Sequence, residues 1–404
     1  MKYKSATLSD FCIGGGNYGI AASAVEFSPD LPTYLRITDI NDDGTLDVGG
    51  LKSVDNPNVG KYFLSPNDIV FARTGASTGR NYFYDGNDGK FVYAGFLIKF
   101  SIDPAKINPL FIKYYCQSKD YYSWVASFKT GSTRGNINAQ TLANMPIPVL
   151  TRAQQDLLAD ILSALDARIV ENKKINHHLE QMAQTIFKSW FVDFEPFGGT
   201  MPSGWREGTI SDLGDVIGGS TPSKAKPEYY TKHGIAWITP KDLSINKSKF
   251  IEHGMDDITD LGLHNSSAKL MPRGTVLFSS RAPIGYIAVA RGPVCTNQGF
   301  KSVVPKTNIG TAYIYYFLIE NLEYIENMAS GSTFKEISGS IMKGIPAIIP
   351  TDDILQRFQD KCTPIFEQQE LLEAENVRLA ELRDTLLPRL MSGELSVADL
   401  GDGK

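Results

Sequence analysis

Polar loops at equivalent places in the two halves of this 404-residue chain carry side chains of the types that contact nucleic acids. Arginine pairs with guanine through two hydrogen bonds, asparagine and glutamine pair with adenine, and serine and threonine bind phosphates. The candidates in the first half are Arg73, Thr74, Ser77, Arg80, Lys129, Ser132, Thr133, Arg134 and Asn136. Those in the second half are Ser280, Arg281, Asn297, Gln298, Lys301, Ser332, Thr333 and Lys335. Surface turns contain the same residue types, so a purely structural role stays open.

The glycine-rich segment from Gly14 to Gly19 is a second candidate ligand site. It fits the GxGxxG spacing of dinucleotide or adenosylmethionine loops, and Asp39 lies twenty residues beyond Gly19. However, no strong strand precedes the segment and no long apolar helix follows it. Its counterpart in the second half, from Gly218 to Thr221, also breaks the spacing. We therefore interpret the segment as a glycine-rich turn.

The sequence contains no recognisable motif for catalysis or for metal binding. The five histidines form neither an HExxH motif nor a Cys/His cluster, so no metal site is predicted. There is no Walker A loop, no GxSxG motif and no Asn-Pro-Pro-Phe methyltransferase loop. The sequence therefore predicts a chain that is not itself an enzyme and binds no cofactor.

The composition is ordinary for a folded protein, with 42% hydrophobic and 21% charged residues. The cysteines Cys12, Cys116, Cys295 and Cys362 lie far apart, which indicates reduced, buried thiols. No apolar run approaches the roughly 20 residues of a membrane helix, and the N-terminus lacks the apolar core of a signal peptide. We therefore expect a cytoplasmic protein with no membrane contact.

The charge of the chain is unevenly distributed along the sequence. The formal net charge is −5, which by itself argues against nucleic-acid binding. Residues 351–404 account for this excess, because they hold twelve acids and six bases. Residues 270–306 hold five bases and no acid. Since local sign matters more than net charge for docking a polyanion, a nucleic-acid partner stays open.

The two halves of the chain are a tandem duplication. Gly131-Ser132-Thr133 recurs as Gly331-Ser332-Thr333, at an offset of 200 residues. Thr7-Leu8-Ser9-Asp10 resembles Thr209-Ile210-Ser211-Asp212, and other landmarks recur in the same order at offsets of 200 to 206. A period this long indicates two domains in series. The predicted boundaries are 1–150 and 196–350 for these domains, and 151–195 and 351–404 for the helical segment that follows each one.

Each domain has short strands and turns, followed by a long helix with a heptad pattern. The segments from Pro109 and from Ala312 predict short amphipathic helices. The predicted seam consists of Leu158, Leu162, Leu165, Ile169, Leu179, Ile186, Phe358, Ile365, Leu372, Leu379 and Leu386. Asn176 and its repeat equivalent Asn376 are polar seam positions, and Pro364 marks a bend or a start of the second helix. We favour antiparallel pairing of the two helices over two independent helices, because the seams are long and similarly registered.

Two segments resemble a known family. Met201-Pro202-Ser203-Gly204-Trp205-Arg206-Glu207-Gly208, with Gly218-Gly219-Ser220-Thr221-Pro222, is similar to the opening of a target-recognition domain in the specificity (S) subunits of type I restriction–modification systems. Ile186-Phe187-Lys188-Ser189-Trp190-Phe191 is similar to the central conserved region of that family. The first domain departs from the pattern, because it opens without a Gly-Trp pair, and the second helix carries Arg383 on its seam.

The resemblance implies an α+β fold, in which two mixed α/β target-recognition domains are separated by two long helices that form an antiparallel coiled coil. It implies a non-catalytic subunit that binds double-stranded DNA through the major groove, each domain contacting one half of an asymmetric bipartite site. The helices would set the gap and dock two modification subunits, and restriction subunits would join the complex. Adenosylmethionine, ATP and Mg are then expected on these partners, which carry adenine methyltransferase and ATP-dependent endonuclease activity. An interaction scaffold that binds no DNA is the alternative.

Overall fold

The computed structural model describes residues 4–128, 136–330 and 335–391. The chain forms two compact units. The first unit consists of Met1–Ile169 together with Arg378–Lys404, and the second is the continuous stretch Val170–Val377. Both long helices are therefore divided between the units. The predicted domain boundaries, which fall at the ends of these helices, stay predictions.

The strands of the first unit are β1 (Ser5–Thr7), β2 (Asn17–Tyr18), β3 (Thr33–Leu35), β4 (Lys52–Ser53), β5 (Asp68–Ala72), β6 (Asn81–Tyr84), β7 (Phe91–Tyr93), β8 (Leu97–Ser101) and β9 (Pro146–Pro148). They form a four-stranded antiparallel sheet of order β2-β8-β5-β6 and a smaller sheet of order β4-β3-β7. A third pair joins β1 to β9. Every residue of β5 is buried, as expected for a central strand that packs on both faces.

The helices of the first unit cover one face of the larger sheet. They are α1 (Pro109–Tyr115), α2 (Lys119–Ala126) and α3 (Ala139–Ala143), followed by the long α4 (Arg152–Phe191). Helix α1 begins where Asn108 caps it and where proline occupies the first turn, both of which favour a helix start. Phe71, Phe100 and Phe111 lie in the core between sheet and helices.

The second unit repeats this framework and extends it. Its strands are β10 (Arg206–Thr209), β11 (Gly214–Gly218), β12 (Tyr230–Thr231), β13 (Ala236–Ile238), β14 (Phe250–Ile251), β15 (Asp257–Ile258), β16 (Val276–Ser280), β17 (Ile284–Ala290), β18 (Val294–Thr296), β19 (Lys301–Pro305) and β20 (Pro346–Ile349). The main sheet has the order β11-β19-β16-β17-β14, which matches β2-β8-β5-β6 with one added edge strand. The parallel pair β13-β18 matches β3-β7, and β10-β20 matches β1-β9.

The helices of the second unit are α5 (Ile210–Leu213), α6 (Pro240–Ile245), α7 (Asp260–His264), α8 (Thr311–Glu320), α9 (Leu322–Asn327), α10 (Gly339–Lys343) and the long α11 (Asp352–Met391). Single-turn 3₁₀ helices occupy Leu8–Phe11, Val48–Gly50, Val59–Tyr62, Glu195–Phe197 and Pro227–Tyr229. One expectation for this unit was wrong. Helix α8 exists, but it is not amphipathic, because residues 312–318 are all buried. The unit packs α8 between its main sheet and the long helices, where no face meets water.

The predicted fold class is confirmed: two mixed α/β domains in tandem, with two long helices. In the second unit the helices pair antiparallel, since Asn172 Nδ2 donates to Asn376 Oδ1 at 3.0 Å and Gln369 Nε2 donates to Glu180 Oε2 at 2.9 Å. In the first unit Arg383 Nη1 donates to Asp166 Oδ1 at 3.0 Å. All eleven predicted seam residues are buried or half-buried.

Pro364 does not start the second helix. Helix α11 begins at Asp352, twelve residues earlier, and continues through the proline. The residue that faces Asn376 is Asn172, and Asn176 Nδ2 donates to Glu373 Oε1 at 3.3 Å instead. Antiparallel pairing explains this arrangement, because repeat-equivalent residues then lie at different heights along the pair.

Candidate nucleic-acid interface

The first candidate loop leaves the carboxyl end of β5. The N–H of Arg73 donates to the carbonyl of Phe96 at 3.0 Å, and the carbonyl of Arg73 accepts from Ile137 N at 2.9 Å. The loop then turns back, and the N–H of Gly79 donates to the carbonyl of Ala72 at 2.9 Å. Gly79 has a φ of +92°, and a Cβ there would meet Val125, so glycine is required at this turn. The backbone around Arg73 is thus fixed on both sides.

Four residues form what we call the Arg73 cluster: Tyr18, Arg73, Thr74 and Asn136. The Arg73 guanidinium lies over the ring of Tyr18, 5.0 Å from its centroid. Thr74 and Asn136 are bridge partners in an antiparallel pair, so the backbone of Asn136 lies opposite the residue that follows Arg73. Among the residues that the structure describes, Arg73 has no carboxylate partner, and its Nε is buried without a hydrogen bond. The cluster offers a cation and an amide at one place.

The remaining candidates of the first unit differ from Arg73. Arg80 forms a two-pronged ion pair with Asp42, with Nε–Oδ1 at 2.7 Å and Nη2–Oδ2 at 3.1 Å. Its charge is therefore already compensated. Ser77 is half-buried in the turn, where its carbonyl accepts the N–H of Arg80. Lys129, Ser132, Thr133 and Arg134 lie outside the described residues.

The equivalent loop of the second unit leaves β16. The N–H of Ser280 donates to the carbonyl of Gly299 at 2.7 Å, and its carbonyl accepts from Ile337 N at 3.0 Å. These are the two bonds that Arg73 makes, so Ser280 is the structural counterpart of Arg73. In the sequence, residues 64–73 resemble residues 270–279, which predicts Ser279 as the counterpart of Arg73 instead. A register shift between Phe278 and Ser280 explains the difference of one residue.

Glu336, which is not among the candidates predicted from the sequence, pairs with both cations of the second site. Glu336 Oε2 lies 3.3 Å from Arg281 Nη1, and Glu336 Oε1 lies 3.4 Å from Lys301 Nζ. We call Ser280, Arg281, Lys301 and Glu336 the Glu336 cluster. The Ser280 side chain is fully buried, and its hydroxyl donates to the carbonyl of Gly299, so it supports Lys301 from within and faces no ligand. The sequence signal was the repeat itself, since Glu336 stands where the first half has Asn136.

The other candidates of the second unit shape the surrounding loops. Asn297 Oδ1 accepts from the N–H of Gly299 at 2.9 Å, and the Gln298 side chain accepts a hydrogen bond from Thr221. Lys335 is exposed and lines a cleft of about 700 Å³ with Arg281, Pro283 and Glu336. Ser332 and Thr333 lie outside the described residues.

Each unit holds its own segment of the long helices through a buried tyrosine. In the first unit the Tyr114 hydroxyl donates to Asp166 Oδ2 at 2.9 Å, and burial together with this carboxylate raises the pKa of Tyr114. In the second unit Lys249 Nζ lies between Glu180 Oε2 at 2.7 Å, Gln369 Oε1 at 2.9 Å and the Tyr316 hydroxyl at 3.2 Å. Burial lowers the pKa of Lys249 to about 8. Both anchors were invisible in the sequence.

The described residues contain neither a cluster of metal-binding side chains nor a membrane-spanning helix. Over residues 4–128, 136–330 and 335–391, no three histidine, cysteine or acidic side chains cluster closely enough to hold a metal ion. The helices in these same ranges are too short or too polar to span a membrane.

Comparisons with known proteins agree with this geometry. The profile of the family described as type I restriction modification DNA specificity domain matches twice, over residues 2–181 and residues 202–381. The chain is 26% identical over 413 residues to the HindI type I restriction enzyme specificity subunit of Haemophilus influenzae, which covers 84% of this chain and 89% of that protein. It is 38% identical over 194 residues to the MjaIX specificity subunit of Methanocaldococcus jannaschii, covering 46% of this chain and 45% of that one. The crystal structure of a type I restriction–modification S subunit from M. genitalium shares the fold, with a TM-score of 0.62 and 17% identity over 96% of each chain.

Proposed function

This chain belongs to the family of type I restriction–modification specificity subunits, and on that premise we propose that it selects the DNA sequence on which a methyltransferase complex acts. Each unit contacts one half of an asymmetric bipartite site in the major groove. The chain itself is non-catalytic. Adenine methylation and ATP-dependent cleavage belong to modification and restriction subunits, which also carry adenosylmethionine, ATP and Mg.

The observation that carries this proposal is a repeated framework with unlike side chains at one equivalent place. In each unit a loop follows the carboxyl end of the equivalent central strand, β5 or β16. The same two backbone hydrogen bonds hold this loop in both units. At that place the first unit has an arginine and an amide, and the second has two cations around a carboxylate. A duplicated scaffold with different hydrogen-bonding groups is suited to two different short sequences.

The long helices support the second part of the proposal, which is a fixed gap and the docking of two modification subunits. In the second unit the Asn172–Asn376 hydrogen bond fixes the register of the pair, since a buried amide opposite an aliphatic residue costs stability. The same helices carry exposed apolar side chains, among them Val170, Met182, Leu371 and Val377 in that unit. Such side chains are suited to contact with another subunit.

The test is a selection from random duplex DNA with this chain co-expressed with its cognate modification subunit. We expect two short, unlike blocks separated by a fixed gap. A single block would mean that one unit does not contact bases. No enrichment from a complex that assembles would contradict the proposal.

A specific observation favours the alternative of a scaffold that binds no DNA. Arg80, Arg281 and Lys301, three of the basic candidates, are paired with carboxylates of their own unit. Replacing both Arg281 and Lys301 by glutamate distinguishes a DNA-reading subunit from a scaffold. A DNA-reading subunit loses affinity for every sequence, because phosphate contacts are lost. A scaffold keeps its affinity for the modification subunits and shows no change on DNA.

A further inference from the structure

We propose that Glu336 is a base-reading residue of the second unit and accepts a hydrogen bond from the N4 amino group of a cytosine. This inference rests on the proposed function and adds to it a residue and the chemistry of one base. Glu336 lies at the edge of the cleft that is also lined by Arg281, Pro283, Ile284 and Lys335.

The backbone of Glu336 is held rigidly. Its N–H donates to the carbonyl of Ser330 at 2.9 Å, and its carbonyl accepts the N–H of Ser330 at 3.2 Å. The next residue, Ile337, is fully buried and donates its N–H to Ser280. Because the backbone is already fixed in this way, binding orders only the side chain, which favours a specific contact.

The carboxylate of Glu336 is positioned as well. Arg281 and Lys301 each engage a different oxygen, at 3.3 Å and 3.4 Å. Lys301 is only 14% exposed, so it supports the carboxylate from inside the protein, whereas Glu336 and Arg281 are each 37% exposed. An ionised carboxylate has unused lone pairs beyond these two contacts. Glu336 can therefore accept another hydrogen bond from the solvent side.

The charge of the cluster permits a carboxylate near DNA. An isolated glutamate would be repelled by the phosphates. In and around the cleft, however, the three cations Arg281, Lys301 and Lys335 outnumber the two carboxylates Glu336 and Glu326, which leaves a net positive charge. Arg281 and Lys301 therefore reduce the repulsion between Glu336 and the phosphates of the DNA.

The chemistry of the acceptor selects the base. A carboxylate only accepts hydrogen bonds, and the donors on the major-groove edge are the N4 amino group of cytosine and the N6 amino group of adenine. In adenine the neighbouring N7 is an acceptor and repels the second carboxylate oxygen. Cytosine has no acceptor beside N4, so it is the better partner.

The test compares the wild type, Glu336→Gln and Glu336→Asn in the same selection from random duplexes, each co-expressed with the cognate modification subunit. The Arg73→Ala variant identifies the half-site that the first unit contacts, because it should change the base preference in that half-site. We expect the wild type to require cytosine at one position of the other half-site. A glutamine can donate to N7 and accept from N6, so E336Q should move that preference towards adenine and lose about ten- to hundredfold discrimination. E336N should also lose the cytosine preference.

Glu323 provides the matched control, since it is an exposed carboxylate at the start of α9. Glu323→Gln removes the same charge and should leave the motif unchanged. A uniform rise in affinity with an unchanged motif in E336Q would overturn the inference, because Glu336 would then only neutralise its cations. A changed base in the half-site marked by Arg73 would overturn it too. If the wild type enriches no motif, the proposed function itself fails, which is a separate result.

Discussion

The Arg73 cluster and the Glu336 cluster occupy equivalent places on one framework, and they differ in whether their charge is already compensated. In the first unit the guanidinium of Arg73 lies on an aromatic ring and has no carboxylate partner among the described residues. In the second, Arg281 and Lys301 share the carboxylate of Glu336. The first unit thus has the amide Asn136, which both donates and accepts, where the second has the carboxylate Glu336, which only accepts. Duplication preserved the backbone and left the side chains free to diverge.

The first prediction, with the largest expected effect, tests whether the two frameworks are equivalent. Phe111 in the first unit and Phe358 in the second are fully buried in their cores. Replacing either by alanine should reduce the free energy of unfolding by about 3–5 kcal/mol, through lost burial and a cavity. Denaturant unfolding of each purified variant measures this loss. A loss below about 1 kcal/mol for either variant would contradict the placement of that residue in the core of its unit.

The second prediction concerns the different anchors of the two units. The pKa of Lys249 is lowered from 10.5 to about 8 in the folded protein, so the unfolded chain binds more protons between these pH values. The contribution of Lys249 to the free energy of unfolding should therefore rise with pH across this window, by up to about 3 kcal/mol at about 1.4 kcal/mol per pH unit. Burial raises the pKa of the four cysteine thiols, which contribute with the opposite sign, so the effect of Lys249 is measured as a difference between variants.

Lys249→Met isolates this component of the pH dependence. The groups that face Lys249 are Glu180, Tyr316, Gln369 and Glu373, and all of them are retained in the variant. The unfolding free energy of the wild type minus that of the variant should rise between pH 8 and 10.5. Asp166→Asn, at the anchor of the first unit, is the control and should keep the pH dependence of the wild type across this window. Parallel curves for wild type and K249M would show that Lys249 is not the titrating group.

The third prediction tests the difference in charge compensation directly. Arg73→Ala should reduce affinity for the cognate duplex by about 1–3 kcal/mol and relax one base position. Arg281→Ala should cost less than about 1 kcal/mol, because part of the arginine's charge is already committed to Glu336. Competition binding with single-base variants of the site measures both effects. Equal losses would mean that the ion pair with Glu336 does not attenuate Arg281.

The fourth prediction has the smallest effect and concerns Arg80. Asp42 is 84% exposed, so its ion pair with Arg80 contributes little to stability, less than about 1 kcal/mol. Asp42→Asn should free Arg80 for phosphate, raise affinity for all sequences slightly and steepen its salt dependence by about one contact. Binding titrations at several salt concentrations measure the slope. Asp43→Asn, at the neighbouring exposed residue, is the control for loss of one negative charge.

The sequence predicted those features that have a long, regular signal. The duplication, the two 40-residue helices and their apolar seams follow from periodicity that extends over many residues.

The partners of the polar side chains could not be predicted in the same way. Arg80 meets Asp42 from 38 residues away, and Lys249 meets Gln369 from 120 residues away, and no spacing in the sequence encodes such pairs. The added edge strand β14 brings Lys249 to the long helices, but its two residues give no periodic signal. The register shift in β16 likewise moved the equivalent of Arg73 by one residue. Residue types therefore predicted which loops carry polar groups. Which of their charges are already paired within the protein depends on the fold, and the sequence did not predict it.

The division of the chain into units has a consequence for the order of events during translation. The second unit is a continuous stretch, whereas the first closes its core with Leu387 and pairs Asp166 with Arg383, both from the segment after residue 377. A ribosome therefore makes most of the first unit early but supplies its last helical segment only after the whole second unit has emerged. Until then Leu158 and Leu162 lack this covering, which leaves a nascent chain exposed to chaperones and proteases for the time needed to synthesise about 200 residues.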